Sequence, residues 1–143
     1  ANPVDMDTLG LELIAIKRLD NVEIITSYTF LNKSEDYGTA DIDASFYALN
    51  YPDHRVTLGV IWRPTDMVEV RVDNEWRKQE ENTLRSGGDD ALFTHLTLKI
   101  SPSQFKGLEI MLAADNLWDE SFQEIPGTPG RGEQYTLSAT YHW

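Results

Sequence analysis

The sequence predicts an all-β protein whose strands follow one another as antiparallel hairpins. Apolar and polar residues alternate over about seven segments, and a period of two is typical of strands with one apolar face. The connections alternate between short and long, as in up-and-down transmembrane β-barrels with tight turns on one side and long loops on the other. No helical period competes with this pattern outside residues 14–19. We therefore expect antiparallel up-and-down transmembrane β-barrel strands.

Each predicted strand rests on its own alternating run. The seven runs are Leu9–Ile16, Val22–Leu31, Arg55–Arg63, Met67–Lys78, Ala91–Ile100, Leu108–Asp115 and Tyr135–Trp143. Pro64 and Pro102 lie in short breaks, where a fixed φ favours a turn. The stretch Asp41–Leu49 also has strand character, but an eighth strand there would reverse every later strand, so we assign it to a loop.

Composition narrows the class of protein. The chain has 143 residues, enough for one domain or a piece of one, and 24 acidic against 12 basic residues give a net charge of −12. Such a chain repels phosphates, so we expect no nucleic-acid partner. It has no cysteine, which excludes disulfides and thiolate metal sites. No apolar run reaches the roughly 18 residues of a transmembrane helix, which leaves transmembrane strands open.

The positions of the aromatic residues favour a membrane barrel over a soluble sandwich. The apolar faces have aliphatic middles and aromatic ends, which two membrane interfaces require. The aromatic residues at the long-link ends are Tyr28, Phe30, Trp76 and Tyr135, and those at the opposite ends are Trp62, Tyr141 and Trp143. A β-sandwich alternates in the same way, so period two alone leaves that alternative open.

One stretch resembles a known family. D-N-L-W-D-E-S-F-Q-E-I-P-G-T-P-G-R (115–131), followed by an alternating strand that ends at Trp143, is similar to the C-terminal end of TonB-dependent outer-membrane receptors. Residues 50–66 resemble the entry into a late barrel strand of that family, and T-L-G-L-E-L (8–13) resembles one of its strand starts. The likeness covers nearly the whole chain.

The resemblance implies a 22-stranded barrel, plugged by an N-terminal domain, that imports a scarce ligand such as an iron–siderophore chelate, haem or cobalamin. We expect residues 1–143 to be the C-terminal part of such a receptor's β-barrel in the outer membrane of a Gram-negative bacterium. The plug and the earlier strands would then be absent from this chain. The implied partners are outer-membrane lipid, the remainder of the receptor, and the TonB complex through the absent N-terminal parts.

Two groups of residues are candidate functional positions. An unbroken charged row on the fourth strand is a candidate lining of the lumen: Glu69, Arg71, Asp73, Glu75 and Arg77. Its alternative is a hydrated wall whose charges pair across strands. Tyr37, Phe46 and Tyr47 in the first long link are candidate ligand-facing residues; packing of that loop on itself is the alternative.

The sequence predicts no enzyme, cofactor or metal site. No nucleophile elbow, phosphate loop or buried carboxylate pair is present, and His54, His95 and His142 lack ligand spacing. Two further hypotheses compete with the receptor segment. A small self-contained outer-membrane barrel, structural or adhesive, predicts closure of the first strand on the last. A soluble β-sandwich binding module predicts two packed sheets.

Overall fold

The computed structural model describes residues 5–36, 51–82 and 84–143. These residues form seven β-strands and no helix. The strands are β1 (Asp5–Arg18), β2 (Val22–Asp36), β3 (His54–Thr65), β4 (Val68–Lys78), β5 (Asp90–Ile100), β6 (Leu108–Asp115) and β7 (Gln134–Tyr141). The all-β prediction and its seven strands are confirmed.

The strands form one antiparallel sheet in chain order, from β1 to β7. Each pairs with the next, because every hairpin connection returns the chain beside the strand it has just left. The strand ends joined by the short connections 19–21, 66–67 and 101–107 lie at one end of the sheet, and the strand ends joined by the long connections 37–53, 79–89 and 116–133 lie at the other. Among the described residues, β1 pairs only with β2 and β7 only with β6, so the sheet is not closed.

Several predicted boundaries were wrong, most of them by one or two residues, and Pro64, predicted to lie in a short break, lies near the end of β3. β1 begins four residues earlier than the predicted Leu9, and β2 continues to Asp36 through residues assigned to a link. Backbone pairing between these two strands continues whatever the polarity of the side chains, from Asp5↔Asp36 to Arg18↔Glu23. The last strand ends at Tyr141 rather than Trp143, because its partner β6 begins at Leu108 opposite Tyr141.

No second sheet packs against this sheet among the described residues. Strands contact only their neighbours in the sheet, so neither the two packed sheets of a sandwich nor the closure of a small barrel is present there. The only buried apolar residues described are Ala91, Ala114 and Phe122. Large apolar side chains are consequently left uncovered, among them Leu11 at 50% and Leu137 at 71% exposure.

Candidate functional site

The two faces of the sheet differ in chemistry, and we name them the apolar face and the charged face. The apolar face carries, one from each strand in order, Leu11, Tyr28, Leu58, Val72, Leu96, Leu112 and Leu137. The charged face carries, in the same order, Glu12, Glu23, Arg55, Glu75, Lys99, Glu109 and Thr140. The charged residues of the apolar face lie within three residues of a strand end, as Asp7 and Lys17 of β1 do, and its middle has no Asp, Glu, Lys or Arg.

Four polar side chains in the middle of the apolar face, those of Thr26, Tyr28, Asn74 and Thr94, take part in hydrogen bonds within the protein. The Thr26 hydroxyl donates to the Thr57 carbonyl at 2.9 Å. The Tyr28 hydroxyl lies 2.9 Å from Nδ1 of His54, and the two rings stack. The Thr94 hydroxyl donates to Oδ1 of Asn74 at 2.8 Å. This face therefore presents aliphatic and aromatic surface and makes its few polar bonds internally.

All five residues of the predicted charged row lie on the charged face. They pair both across and along strands: Glu69 accepts from Arg63 of β3 at 2.7 Å, and Arg71 donates to Asp73 of its own strand at 2.6 Å. Glu75 accepts from Arg77 and also from Arg55 of β3. The row is thus a paired wall, and its place in a lumen stays a prediction.

The pairing extends to the neighbouring strands. Lys99 of β5 lies 2.6 Å from Glu109 of β6, and Nδ1 of His95 lies 3.1 Å from Oδ1 of Asp115. Towards β1 the same face turns apolar. Ile14 and Ile16 are 63% and 54% exposed there, with Ile25 of β2 beside them. Charge is therefore concentrated on β3 to β6.

The second and third long connections fold over the charged face. Phe122 is buried against Phe93 of β5, with ring centroids 6.4 Å apart at an interplanar angle of 80°. Arg77 of β4 forms an ion pair with Glu124, which holds the third connection against the sheet. An open cleft of about 610 Å³ remains between residues 122–132 and the charged face.

Arg85 joins these two connections. Its side chain is fully buried and pairs with Asp89, while it also donates to the Gln79 side chain at 2.7 Å and to the Gln123 carbonyl at 3.0 Å. Its guanidinium lies 5.3 Å from the centroid of the Phe122 ring. Sequence reasoning missed Arg85, because a lone arginine in a Ser- and Gly-containing link carries no periodic signal.

Asn116 organises the third connection. Its backbone is in the left-handed region (φ 51°), which Asn tolerates better than most residues. Its buried side chain donates to the carbonyls of Glu120 and Arg131 at 3.0 and 2.7 Å and accepts from the Glu120 amide at 2.9 Å. The N-L-W-D-E stretch is therefore a compact turn that closes on the P-G-R segment.

One carboxyl at the long-connection end is electrostatically perturbed. Burial raises the pKa of Asp53, and electrostatic interactions with His54 and Lys78 partly offset this rise. Asp53 also holds the chain beside β2, since its carbonyl accepts from the Leu31 amide at 2.9 Å. The carboxylate form at this position is thus disfavoured relative to the unfolded chain.

The remaining candidate residues give no assembled site. Tyr37, Phe46 and Tyr47 lie outside the described residues. Within the part of the chain that the structure describes, no three His, Asp or Glu side chains cluster as metal ligands. That part also contains no helix with the length and apolar character needed to cross a membrane. No protein-family model matches the chain, and a search of curated proteins gives no match.

Proposed function

We propose that this chain is the C-terminal barrel segment of a TonB-dependent outer-membrane receptor, which imports a scarce ligand such as an iron–siderophore chelate, haem or cobalamin. The observation that supports the membrane location is the uncovered apolar face, on which the hydroxyls of Thr26, Tyr28 and Thr94 are hydrogen-bonded within the protein. In water, polar side chains can bond to solvent and need no partner in the protein. In hydrocarbon, each polar group without a partner costs several kcal/mol, about the cost of a lost hydrogen bond in an apolar medium.

Strand length supports the same location. β4 and β5 have 11 residues each. At about 3.3 Å per residue and a tilt near 45°, such a strand crosses about 25 Å, close to the apolar band of an outer-membrane barrel. The charged face then lines a watery interior, where ion pairs such as Arg63–Glu69 and Lys99–Glu109 remain hydrated.

The unpaired edges support a larger barrel than seven strands. β1 offers 14 residues of backbone on its free edge, with leucine and isoleucine exposed on its two faces. A membrane-embedded sheet has no open edge, since unpaired N–H and C=O groups cannot be satisfied by lipid. In the proposed receptor, further strands pair with β1 and β7. The receptor family itself rests on the resemblance of residues 115–131, whose turn is organised by Asn116.

The first test is cell fractionation of the source bacterium. An antibody raised against this chain is expected to detect, in the outer-membrane fraction, a protein several times larger than the 16.3 kDa of the chain. A band of 16.3 kDa in the soluble fraction would contradict the proposal. Deletion of the gene should then abolish energy-dependent uptake of one labelled probe among ferric siderophores, haem and cobalamin; undiminished uptake of all three would remove the receptor assignment.

Cysteine cross-linking separates the receptor segment from a small closed barrel. The chain has no cysteine of its own, so a pair placed at Leu13 and Leu137 reports on contact between β1 and β7. We expect no disulfide within one chain, at these positions or at neighbouring outward ones such as Leu11 and Ala139. An efficient intrachain disulfide would show closure of β1 on β7 and favour the self-contained barrel.

A further inference from the structure

The side chain of Trp118 bonds to the apolar face of the sheet, although the residue belongs to the third long connection. Its indole N–H donates to the Thr94 hydroxyl of β5 at 2.8 Å, and the Leu117 amide donates to the Thr94 carbonyl at 2.9 Å. The side chain is nevertheless 65% exposed, so most of the ring surface has no protein cover. A ring in this position presents its apolar surface outward.

Beneath the indole lies the polar pair of this face. Thr94 is only 6% exposed, and its hydroxyl passes the hydrogen bond on to Oδ1 of Asn74. The indole therefore completes a donor chain from Trp118 through Thr94 to Asn74. The side-chain NH₂ of Asn74 has no acceptor among the described residues, so it requires water or a polar lipid group at this level.

The surroundings of this pair differ on its two sides. On the short-turn side the neighbouring outward residues of β4 and β5 are Val72 and Leu96, both aliphatic. On the long-connection side Trp76 and Leu92 come next, and the row then ends at the charged pair of Lys78 and Asp90. A large apolar ring with a single satisfied N–H, between aliphatic and polar surroundings, suits the boundary of a bilayer, where tryptophan is enriched.

We propose that Trp118 and the Asn74–Thr94 pair lie at the lipid–water boundary on the long-connection side. The exposed surface of the indole ring then contacts the glycerol and headgroup region of the bilayer. This inference rests on the proposed membrane location. It also gives the third connection two anchors: Trp118 against lipid on the apolar face, and Phe122 with Glu124 on the charged face. Lipid contact thereby helps position the connection that lines the cleft.

The test is depth-dependent fluorescence quenching in phosphatidylcholine vesicles. The chain has four tryptophans, at 62, 76, 118 and 143, so replacing the other three with Phe leaves Trp118 as the only tryptophan in this chain. If the chain lies within a longer protein, the tryptophans outside it are replaced too. We expect strong quenching by lipids brominated near the glycerol and weak quenching by lipids brominated near the chain ends. A matched protein retaining only Trp62 serves as the control for membrane insertion.

The outcomes distinguish the boundary role of Trp118 from the membrane location of the chain. Loss of quenching for Trp118, with Trp62 still quenched, would overturn the boundary role and leave the membrane location standing. Strongest quenching of Trp118 by the deepest bromines would overturn it too. Absence of quenching for both tryptophans would overturn the membrane location itself. As a further check, Thr94→Val removes the indole's acceptor and should shift Trp118 quenching towards the headgroups, whereas Thr26→Val should not; an unchanged profile in Thr94→Val would contradict the anchoring bond.

Discussion

The two faces of this sheet satisfy their polar groups by different means. On the apolar face, hydroxyls bond to a carbonyl, an imidazole or an amide of the same protein, as Thr26, Tyr28 and Thr94 do. On the charged face, carboxylates and guanidinium groups form exposed ion pairs that water can also solvate, such as Arg71 and Asp73. The contrast is the one that the proposed membrane location predicts, with lipid at the apolar face and water at the charged face.

The largest effect should come from placing charge on the apolar face. Leu112→Arg is expected to lower the free energy of unfolding in phospholipid vesicles by about 2–4 kcal/mol, the usual range for arginine near the bilayer midplane. The neighbouring substitution Met111→Arg places the same charge on the charged face and should cost less than about 1 kcal/mol. Urea titration of the vesicle-bound protein measures both. Equal losses would mean that the two faces meet the same medium.

A somewhat smaller, local effect is expected at the buried arginine beneath the loops. Arg85→Ala removes the hydrogen bonds of a charged group, and we expect local stability to fall by about 2–3 kcal/mol. Hydrogen exchange should accelerate together in residues 84–89 and 121–127. Arg131→Ala, which removes an exposed arginine of the third connection, is the control and should leave exchange in both segments unchanged. Acceleration in 84–89 alone would show that the two connections are not coupled.

On the charged face, more deeply buried ion pairs should contribute more to the free energy of unfolding. Glu75, with 15% of its side chain exposed, accepts from two arginines, so Glu75→Gln should cost about 1–2 kcal/mol. Asp73→Asn removes a pair whose partners are 36% and 51% exposed and should cost less than about 1 kcal/mol. Unfolding at low and high salt measures both. A larger loss for Asp73→Asn would reverse this grading.

The smallest effect concerns pH at the rim between the faces. Because burial raises the pKa of Asp53, the native state binds this proton more readily than the unfolded chain, so its contribution to stability falls as pH rises through the raised pKa. Asp53→Asn should therefore raise stability at neutral pH and reduce the gain seen on acidification. Asp66→Asn, in an exposed turn, controls for the loss of one negative charge. Identical pH profiles for both variants would contradict this assignment.

The fold was more predictable than the site. Strict alternation in strands such as Met67–Lys78 indicated both the strand and its charged face, because side-chain direction in an extended chain depends on local geometry alone. The burial of Arg85 was not predictable, since it depends on Gln123 and Phe122, which lie 37 or more residues further along the chain. In the sequence, Asn74 is a polar residue in an otherwise apolar row. Its hydrogen-bonding partner Thr94 could be identified only from the register between β4 and β5.

By itself, the sequence determined which segments are strands, which side chains share a face, and the order of the strands, because a period of two and short hairpin connections leave little choice. The tertiary structure decided which charges pair, how the connections at 79–89 and 116–133 fold across the charged face, and that Trp118 reaches round to the apolar face. These depend on the register between strands and on contacts between distant segments, and no local pattern encodes either of them.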